Sequence, residues 1–476
     1  MASKTTEILD LFEQISRIPR CSGNEAALAA WLQAWATNNS FSSKTDAAGN
    51  VVIQVPGSKG YEKSPTVVLQ GHMDMVCEKT PESQHNFATD AIQNITDGEW
   101  LRADNTTLGS DNGIAIAFAM AAATDPQISH PPLELLFTVR EEVGLSGVNE
   151  LKPGFIEGKT LINLDSEEEG TFIVGCAGGE TTHLTLPVEF APATGEKISF
   201  AVEGLRGGHS GVDIAKNFAN ANKLLARVLA SLSTLGTVRI AQIGGGTAHN
   251  AISRNASAVV FLPAGTRDEA KKMIDGLVLA FQKEHAGVEQ NLRIAITPAE
   301  AASALTEQST RKVIDLLNAL PHGVANMSYE MPGFVETSSN VASIKLSPDQ
   351  LKVITSQRST SMSRLKEIRE RFYAIGRLAG ATVTTESAYP SWNPNLASPV
   401  LQACQASFRR LFGSDPNIMS IHAGLECSTI GELFPGIDMV SIGVTIENPH
   451  SPTERMHIPS VEKVWLLLAD TLASLK

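Results

Sequence analysis

Two histidines and a set of acidic residues stand where this chain could assemble a metal centre. His72 and Asp74 follow the apolar run "TVVLQG", Glu141 and Glu142 follow "LELLFTVR", Asp165 closes "TLINLD", and His450, in "ENPHSP", comes shortly after "MVSIGV". Asp111, in "GSDNGIA", is expected to cap a helix beginning near Asn112 and to turn its carboxylate toward the same rim. Imidazoles and carboxylates without a cysteine suit a catalytic zinc, or cobalt or manganese in its place, better than a structural zinc. One catalytic zinc takes about three protein ligands; a larger set suits two metals sharing a carboxylate bridge. Alternate residues of an extended strand share a face, so Asp74 can accept a hydrogen bond from the ring nitrogen of His72 that does not face the metal. Taken singly, each acidic residue reads as a solvated loop charge and "SDNG" as an ordinary helix start. The weight lies in their convergence on one edge.

That convergence requires a particular scaffold. From residue 48 to about 178, β-rich runs ("NVVIQV", "TVVLQG", "LELLFTVR", "TLINLD") alternate with helical ones such as "DNGIAIAFAMAAAT", the pattern of an α/β sheet with helices on its faces. Ligands of open α/β sheets collect at the carboxyl ends of the strands, where these candidates fall. From about 180 to 390 the texture changes. Alternating strands ("KISFAVEG", "ASAVVFLPA", "NLRIAITP") are interleaved with long amphipathic helices, which predicts a second, α+β domain of two sandwich-like (ferredoxin-like) halves. "AYPSWNPNLASP", 388 to 399, reads as a linker, after which the first texture returns. The fold class is therefore α/β: a discontinuous domain, 1–179 and 392–476, with an inserted α+β domain, 180–391.

Composition narrows the partners. A chain of 476 residues, 42% hydrophobic, exceeds one ordinary domain. A formal charge of −13 argues against binding to nucleic acid phosphates or an anionic membrane surface, both of which need clustered Lys and Arg. Ile8, Leu11, Phe12, Ile15 and Ile18 recur at helical spacing near the amino terminus, which reads as an amphipathic helix and not a signal peptide. No apolar run approaches the roughly 20 residues that span a bilayer. Five cysteines without a CxxC pair predict reduced thiols and a cytoplasmic location.

The segments "GHMDMV", "GSDNGIA", "REEVGLSG", "NLDSEE" and "NPHSPTER", in this order, resemble the signature blocks of the dinuclear zinc metallopeptidases that include carnosinases, aminoacylases and carboxypeptidase G. Further blocks, "GLRGGHSGVDI", "GGGTAHNAI", "GFVETSSN" and "SQRSTSMS", resemble the bacterial aminoacylhistidine (Xaa-His) dipeptidases in particular, and this likeness covers essentially the whole chain. The resemblance implies a catalytic domain with an inserted lid and two Zn2+ per subunit. It makes His72 and Asp165 ligands of one ion, Glu142 and His450 ligands of the other, and Asp111 the bridge. It also implies attack on the peptide by a metal-bridging hydroxide, with Glu141 as general base and Asp74 as the residue that fixes His72. In the lid it gives His209 to the tetrahedral oxyanion, with Asn250 a weaker candidate for the same charge. Arg358 is the candidate clamp for the terminal carboxylate of a dipeptide, and the expected assembly is a homodimer.

Two other functions compete with a dipeptidase for Xaa-His substrates such as carnosine. An N-acyl amino acid deacylase would use the same metals on a substrate without a free amine. A non-catalytic peptide-binding protein on a degenerate scaffold would have lost a ligand or the base; here every one is present.

Overall fold

The computed structural model describes residues 4–329 and 331–476. The chain divides into two compact units, one of residues 1–176, 392–420 and 425–476, the other of 177–391 and 421–424. The brief return of the chain into the second unit at 421–424 has no counterpart in the sequence reading.

The first unit is built on an eight-stranded sheet in the order Ser42–Thr45, Val51–Val55, Leu133–Thr138, Val67–His72, Thr160–Asn163, Asp438–Ser441, Thr171–Cys176, Asn417–Ile421. Its four middle strands run parallel, from Leu133–Thr138 to Asp438–Ser441. Every residue of Val67–His72 and of Leu133–Thr138 is buried, as expected of strands covered on both faces. The helix Ser110–Thr124 is almost wholly buried; its run of alanines keeps it slim enough to lie against the sheet, while Ile114, Ile116, Phe118 and Met120 fill the space around it. Truncating Phe118 to alanine would cost about 3–5 kcal/mol. The amphipathic helix Lys4–Ser16 buries Ile8, Phe12 and Ile15 in the same core and stops short of Ile18.

A second, four-stranded sheet of this unit runs Ile446–Glu447, Arg455–His457, Trp100–Ala103, Asn94–Asp97. It joins the hairpin that bears His450 to the strand upstream of Asp111.

Two expectations about this unit are corrected. Cys21 and Cys77 form a disulfide, with Cα atoms 5.7 Å apart, where reduced thiols were expected. A parallel bridge between Cys21 and Met75 brings the two segments together, a tertiary proximity that a sequence separation of 56 conceals. Cys176, Cys404 and Cys427 are free and buried. Asp111, in turn, is not a helix cap. The residue before the helix is Gly109, in the left-handed region at φ 70°, and Asp111 and Asn112 have non-helical dihedrals with a cis peptide between them. Regular helix starts beyond them, which frees the Asp111 carboxylate for other partners.

The second unit carries a nine-stranded antiparallel sheet over four long helices, Ala221–Leu232, Arg267–Glu284, Glu307–Ala319 and Met362–Ala379. Arg293–Pro298, Glu196–Glu203, Ala256–Leu262 and Arg239–Gly245 lie side by side in the order 4-1-3-2 of a ferredoxin-like half. Val335–Leu346, Gln350–Ser359, Gly178–Pro187 and Thr382–Tyr389 repeat it as 2-3-1-4. The halves meet through Arg239–Gly245 and Val335–Leu346, so a single sheet results. Along Glu196–Glu203 the buried residues Ile198, Phe200 and Val202 alternate with half-buried ones, the pattern of a sheet with one face on a core. Thr382–Tyr389 extends into the stretch read as a linker, which puts Tyr389 in the sheet.

Candidate metal centre

At the carboxyl edge of the parallel strands the expected residues do meet. His72 is the last residue of its strand and is 1% exposed. Its Nε2 lies 3.0 Å from Asp111 Oδ1 and 3.5 Å from Asp165 Oδ1. The other oxygen of Asp111, Oδ2, lies 2.9 Å from His450 Nε2, which is also 3.0 Å from Glu142 Oε2. Each Asp111 oxygen thus faces a different histidine. Donor atoms of three groups, His72/Asp111/Asp165, Asp111/Glu142/His450 and His72/Glu141/Glu142, come within 4.8 Å of one another.

Local structure explains how the residues arrive. The backbone N–H of His72 donates to Asn112 Oδ1 (3.1 Å), while Asn112 Nδ2 donates to Leu164 O, next to Asp165. Gly71 makes room for this contact: a Cβ there would fall 2.4 Å from Asn112 Oδ1. Asp74 is fully buried and does more than orient the imidazole. Its Oδ1 is 3.3 Å from His72 Nδ1 and accepts from Glu141 N at 3.0 Å; its Oδ2 accepts from Glu142 N at 3.2 Å and Ser22 Oγ at 2.7 Å. One carboxylate therefore sets both the ring of His72 and the turn carrying Glu141 and Glu142.

Beneath the centre lies a polar chain the sequence reading missed. Glu426, fully buried, accepts from Gln70 Nε2 at 2.6 Å and Thr138 Oγ1 at 2.7 Å; Gln70 Oε1 accepts from Asn163 Nδ2 at 2.6 Å; and Asn163 Oδ1 accepts from Asp165 N at 3.3 Å. Gln70 and Asn163 each stand two residues before a metal-ligand candidate, so they point the same way as those residues. A polar residue two places upstream on an apolar strand is the signal that could have found them.

The electrostatics call for added positive charge. Burial, reinforced by Asp165, Glu142 and Glu426 and opposed by His72, holds the Glu141 carboxyl well above its ordinary range. Burial and the charge of Asp111 push Glu142 up to about 7, and burial pushes Glu426 up to about 8. Bonds to Asp111 and Glu142 raise His450 to about 11. Burial works against the charge of Asp111, but its bonds from His450 and His72 outweigh it and hold the carboxyl low. The acidic groups raise both imidazoles, His72 and His450, so the centre favours positive charge, and Glu142 Oε1 is buried without a partner. The donor set and this orphaned oxygen fit two divalent ions.

In the second unit, His209 sits in a short bridge with Nδ1 accepting from Gly211 N and Val212 N, and Asp213 holds its backbone N–H. Asn250 is exposed, and its carbonyl accepts from Ser210 N. Arg358 is 9% exposed, donates to Tyr389 Oη at 2.6 Å and keeps Nε buried without a partner. His422, absent from the expected set, is 6% exposed; its Nε2 pairs with Ser338 Oγ at 2.8 Å and its Nδ1 is also unpartnered. The strand-then-histidine pattern "NIMSIHAG" could have flagged it, as it flagged His72.

Comparison with known proteins gives the family. The model of "Peptidase family M20/M25/M40" matches residues 68–474. The cytosol non-specific dipeptidase of Escherichia coli (strain K12) is 40% identical over 466 residues, 97% of this chain and 96% of that protein. Among solved structures, the aminoacylhistidine dipeptidase of Vibrio alginolyticus superposes with a TM-score of 0.89 at 36% identity, over 99% of this chain and 98% of that one. Human carnosine dipeptidase 1 shares the fold at 12% identity, with a TM-score of 0.53 over 99% of this chain and 96% of that one. The matched span contains every residue of the charged centre from His72 to His450, and the chain belongs to peptidase family M20/M25/M40.

Proposed function

We propose that the chain is a dipeptidase that hydrolyses short peptides, Xaa-His dipeptides such as carnosine preferentially, with two Zn2+ per subunit. The observation that carries this reading is Asp111, whose two oxygens face His72 and His450 at 3.0 and 2.9 Å. His72 and Asp165 would hold one ion, Glu142 and His450 the other, with Asp111 shared; Co2+ or Mn2+ could replace zinc at such N/O donors. When bound, the ions supply Lewis acidity, lowering the pKa of water and polarising a carbonyl oxygen. Glu141 takes the proton of the attacking water and returns it to the leaving amine, a role that suits a carboxyl raised by burial. Asp74 accepts from His72 Nδ1, leaving Nε2 for the metal, and holds the Glu141 turn in register.

The second unit is the proposed lid, with His209 and, more weakly, Asn250 serving the developing oxyanion. Arg358 would clamp the terminal carboxylate of the substrate. Its unpartnered Nε, together with the unpartnered Nδ1 of His422, supports an anionic ligand within this unit. The names of the Escherichia coli and Vibrio alginolyticus relatives support dipeptide substrates and the Xaa-His preference respectively. A cytoplasmic location follows the name of the first relative, and no helix among the described residues is long and apolar enough to cross a membrane. The Cys21–Cys77 disulfide weighs against that location, since cytoplasmic thiol pools reduce such bonds. A homodimer is proposed from the resemblance alone, and sedimentation tests it.

The deciding assay measures carnosine and Gly-His hydrolysis against release from N-acetyl amino acids, before and after chelation and with zinc restored. Chelation should abolish dipeptide hydrolysis and zinc should restore it. Faster deacylation than dipeptide cleavage would overturn the reading.

A further inference from the structure

Four residues after His450, Glu454 is 2% exposed and its carboxylate is saturated by one short stretch of chain. Oε2 accepts from Leu108 N at 2.8 Å and Gly109 N at 3.0 Å; Oε1 accepts from Ser110 N at 2.8 Å, Ser110 Oγ at 2.6 Å and Asp111 N at 3.4 Å. These donors are consecutive and end on Asp111 itself. From the other side the buried guanidinium of Arg20 donates to Gly109 O and also holds Met73 O and Asp74 O, both at 3.0 Å. Gly109 is required at this point. It has φ 70°, and a Cβ would lie 2.6 Å from Arg20 Nη2 and 2.7 Å from Met75 Sδ.

We propose that Glu454 is a positioning residue for the metal centre, locking the Asp111 segment to the His450 loop so that two of the three ligands of the more exposed ion, Asp111 and His450, arrive together. The inference rests on the two-ion reading given above. The geometry favours this role over simple helix capping. The same residue ends the loop that carries His450, with Glu454 N bonded to Ser451 O, and no regular helix begins until after Asn112. Without its carboxylate, four backbone N–H groups lose their acceptor and the Asp111 side chain is no longer held at a fixed distance from His450. His72 and Asp165, anchored by Asn112, Gln70 and Asn163, keep their own supports.

The test is a stepwise Co2+ titration of chelator-treated protein, read by visible absorption and calorimetry, on wild type, Glu454→Gln, Ser110→Ala and Ser398→Ala. Glu454→Gln places an amide N–H against N–H donors, and one of the two Co2+ binding steps should weaken by about 10- to 100-fold while the other changes far less. Ser110→Ala removes only the hydroxyl bond and should shift the same step in the same direction by less, which keeps the inference testable if Glu454→Gln fails to fold. Ser398→Ala deletes a helix cap elsewhere and should lower thermal stability without moving either step. Unchanged Co2+ constants in Glu454→Gln, or in Ser110→Ala where Glu454→Gln does not fold, would overturn the proposal. A wild type that takes up fewer than two Co2+ ions would overturn the two-ion reading and the inference with it.

Discussion

The two ends of the charged centre are built differently. At one end, His72 and Asp165 stand at or just past the ends of adjacent parallel strands, and the His72 side chain is 1% exposed. Their supports are also on strands: Gln70 and Asn163 two residues upstream, with Glu426 beneath. At the other end, Glu142 and His450 lie on turns, the His450 side chain is 50% exposed, and its backbone sits at φ 60°. Their supports reach across the sequence: Asp74 holds Glu142 from 68 residues away, and Glu454, in the His450 loop, binds Ser110, 344 residues away. Precision has a different source at each end. A buried parallel sheet fixes a ligand through its register, whereas a loop ligand needs buried polar partners to hold it.

The largest effect should follow from the one residue common to both ends. Asp111→Ala should retain neither ion firmly and lose more than about 1,000-fold in turnover, since the contribution of the metals is several kcal/mol. Metal analysis beside a Gly-His assay checks it, and His72→Ala and His450→Ala sharpen the contrast by weakening different binding steps. Next, Asp74→Ala should lower kcat by about 10- to 100-fold. Because Asp74 also accepts from Glu141 N and Glu142 N, the step assigned to Glu142 should weaken somewhat too, though metal content should fall less than turnover. Metal content falling in proportion to kcat would instead give Asp74 a ligand-like role.

The smallest predicted effect separates the units. Burial, with the charges of Arg358 and His209 adding to it, pushes His422 down from 6.5 to about 3. The unfolded chain binds this proton first, so the contribution of His422 to stability is complete above pH 6.5 and is lost as pH falls toward 3. Urea unfolding between pH 7 and about 4 should therefore show a shallower acid loss in His422→Gln than in wild type. An identical slope would mean that His422 is already solvated in the folded unit.

Much of this was legible in the sequence for one physical reason. Apolar strands announce themselves, and a histidine or carboxylate just past one lies at the sheet edge, which exposed His72, Glu141, Glu142 and Asp165 together, while His450 comes from a hairpin further along the chain. The ferredoxin-like halves were readable from strand alternation and helix amphipathicity. What escaped was whatever depends on partners distant in the chain. Gln70 and Asn163 look like interruptions of a strand, and Glu454 like a surface charge in "SPTER", until the fold supplies their donors. Local pattern favours "SDNG" as a cap, whereas the tertiary bond from Asp111 N to Glu454 and the contacts of its carboxylate with both histidines hold Asp111 elsewhere. Cys21 and Cys77 have no spacing motif; only the bridge at Met75 pairs them.

In the proposed function, adjacent glutamates divide the work, Glu142 holding an ion and Glu141 moving the proton. The most direct test of this division is Glu141→Gln, assayed for bound metal and for Gly-His turnover on the same sample. Two ions should be retained and kcat reduced by about 100- to 10,000-fold, the range of a lost general acid–base group. Near wild-type turnover, or the loss of an ion together with activity, would contradict it.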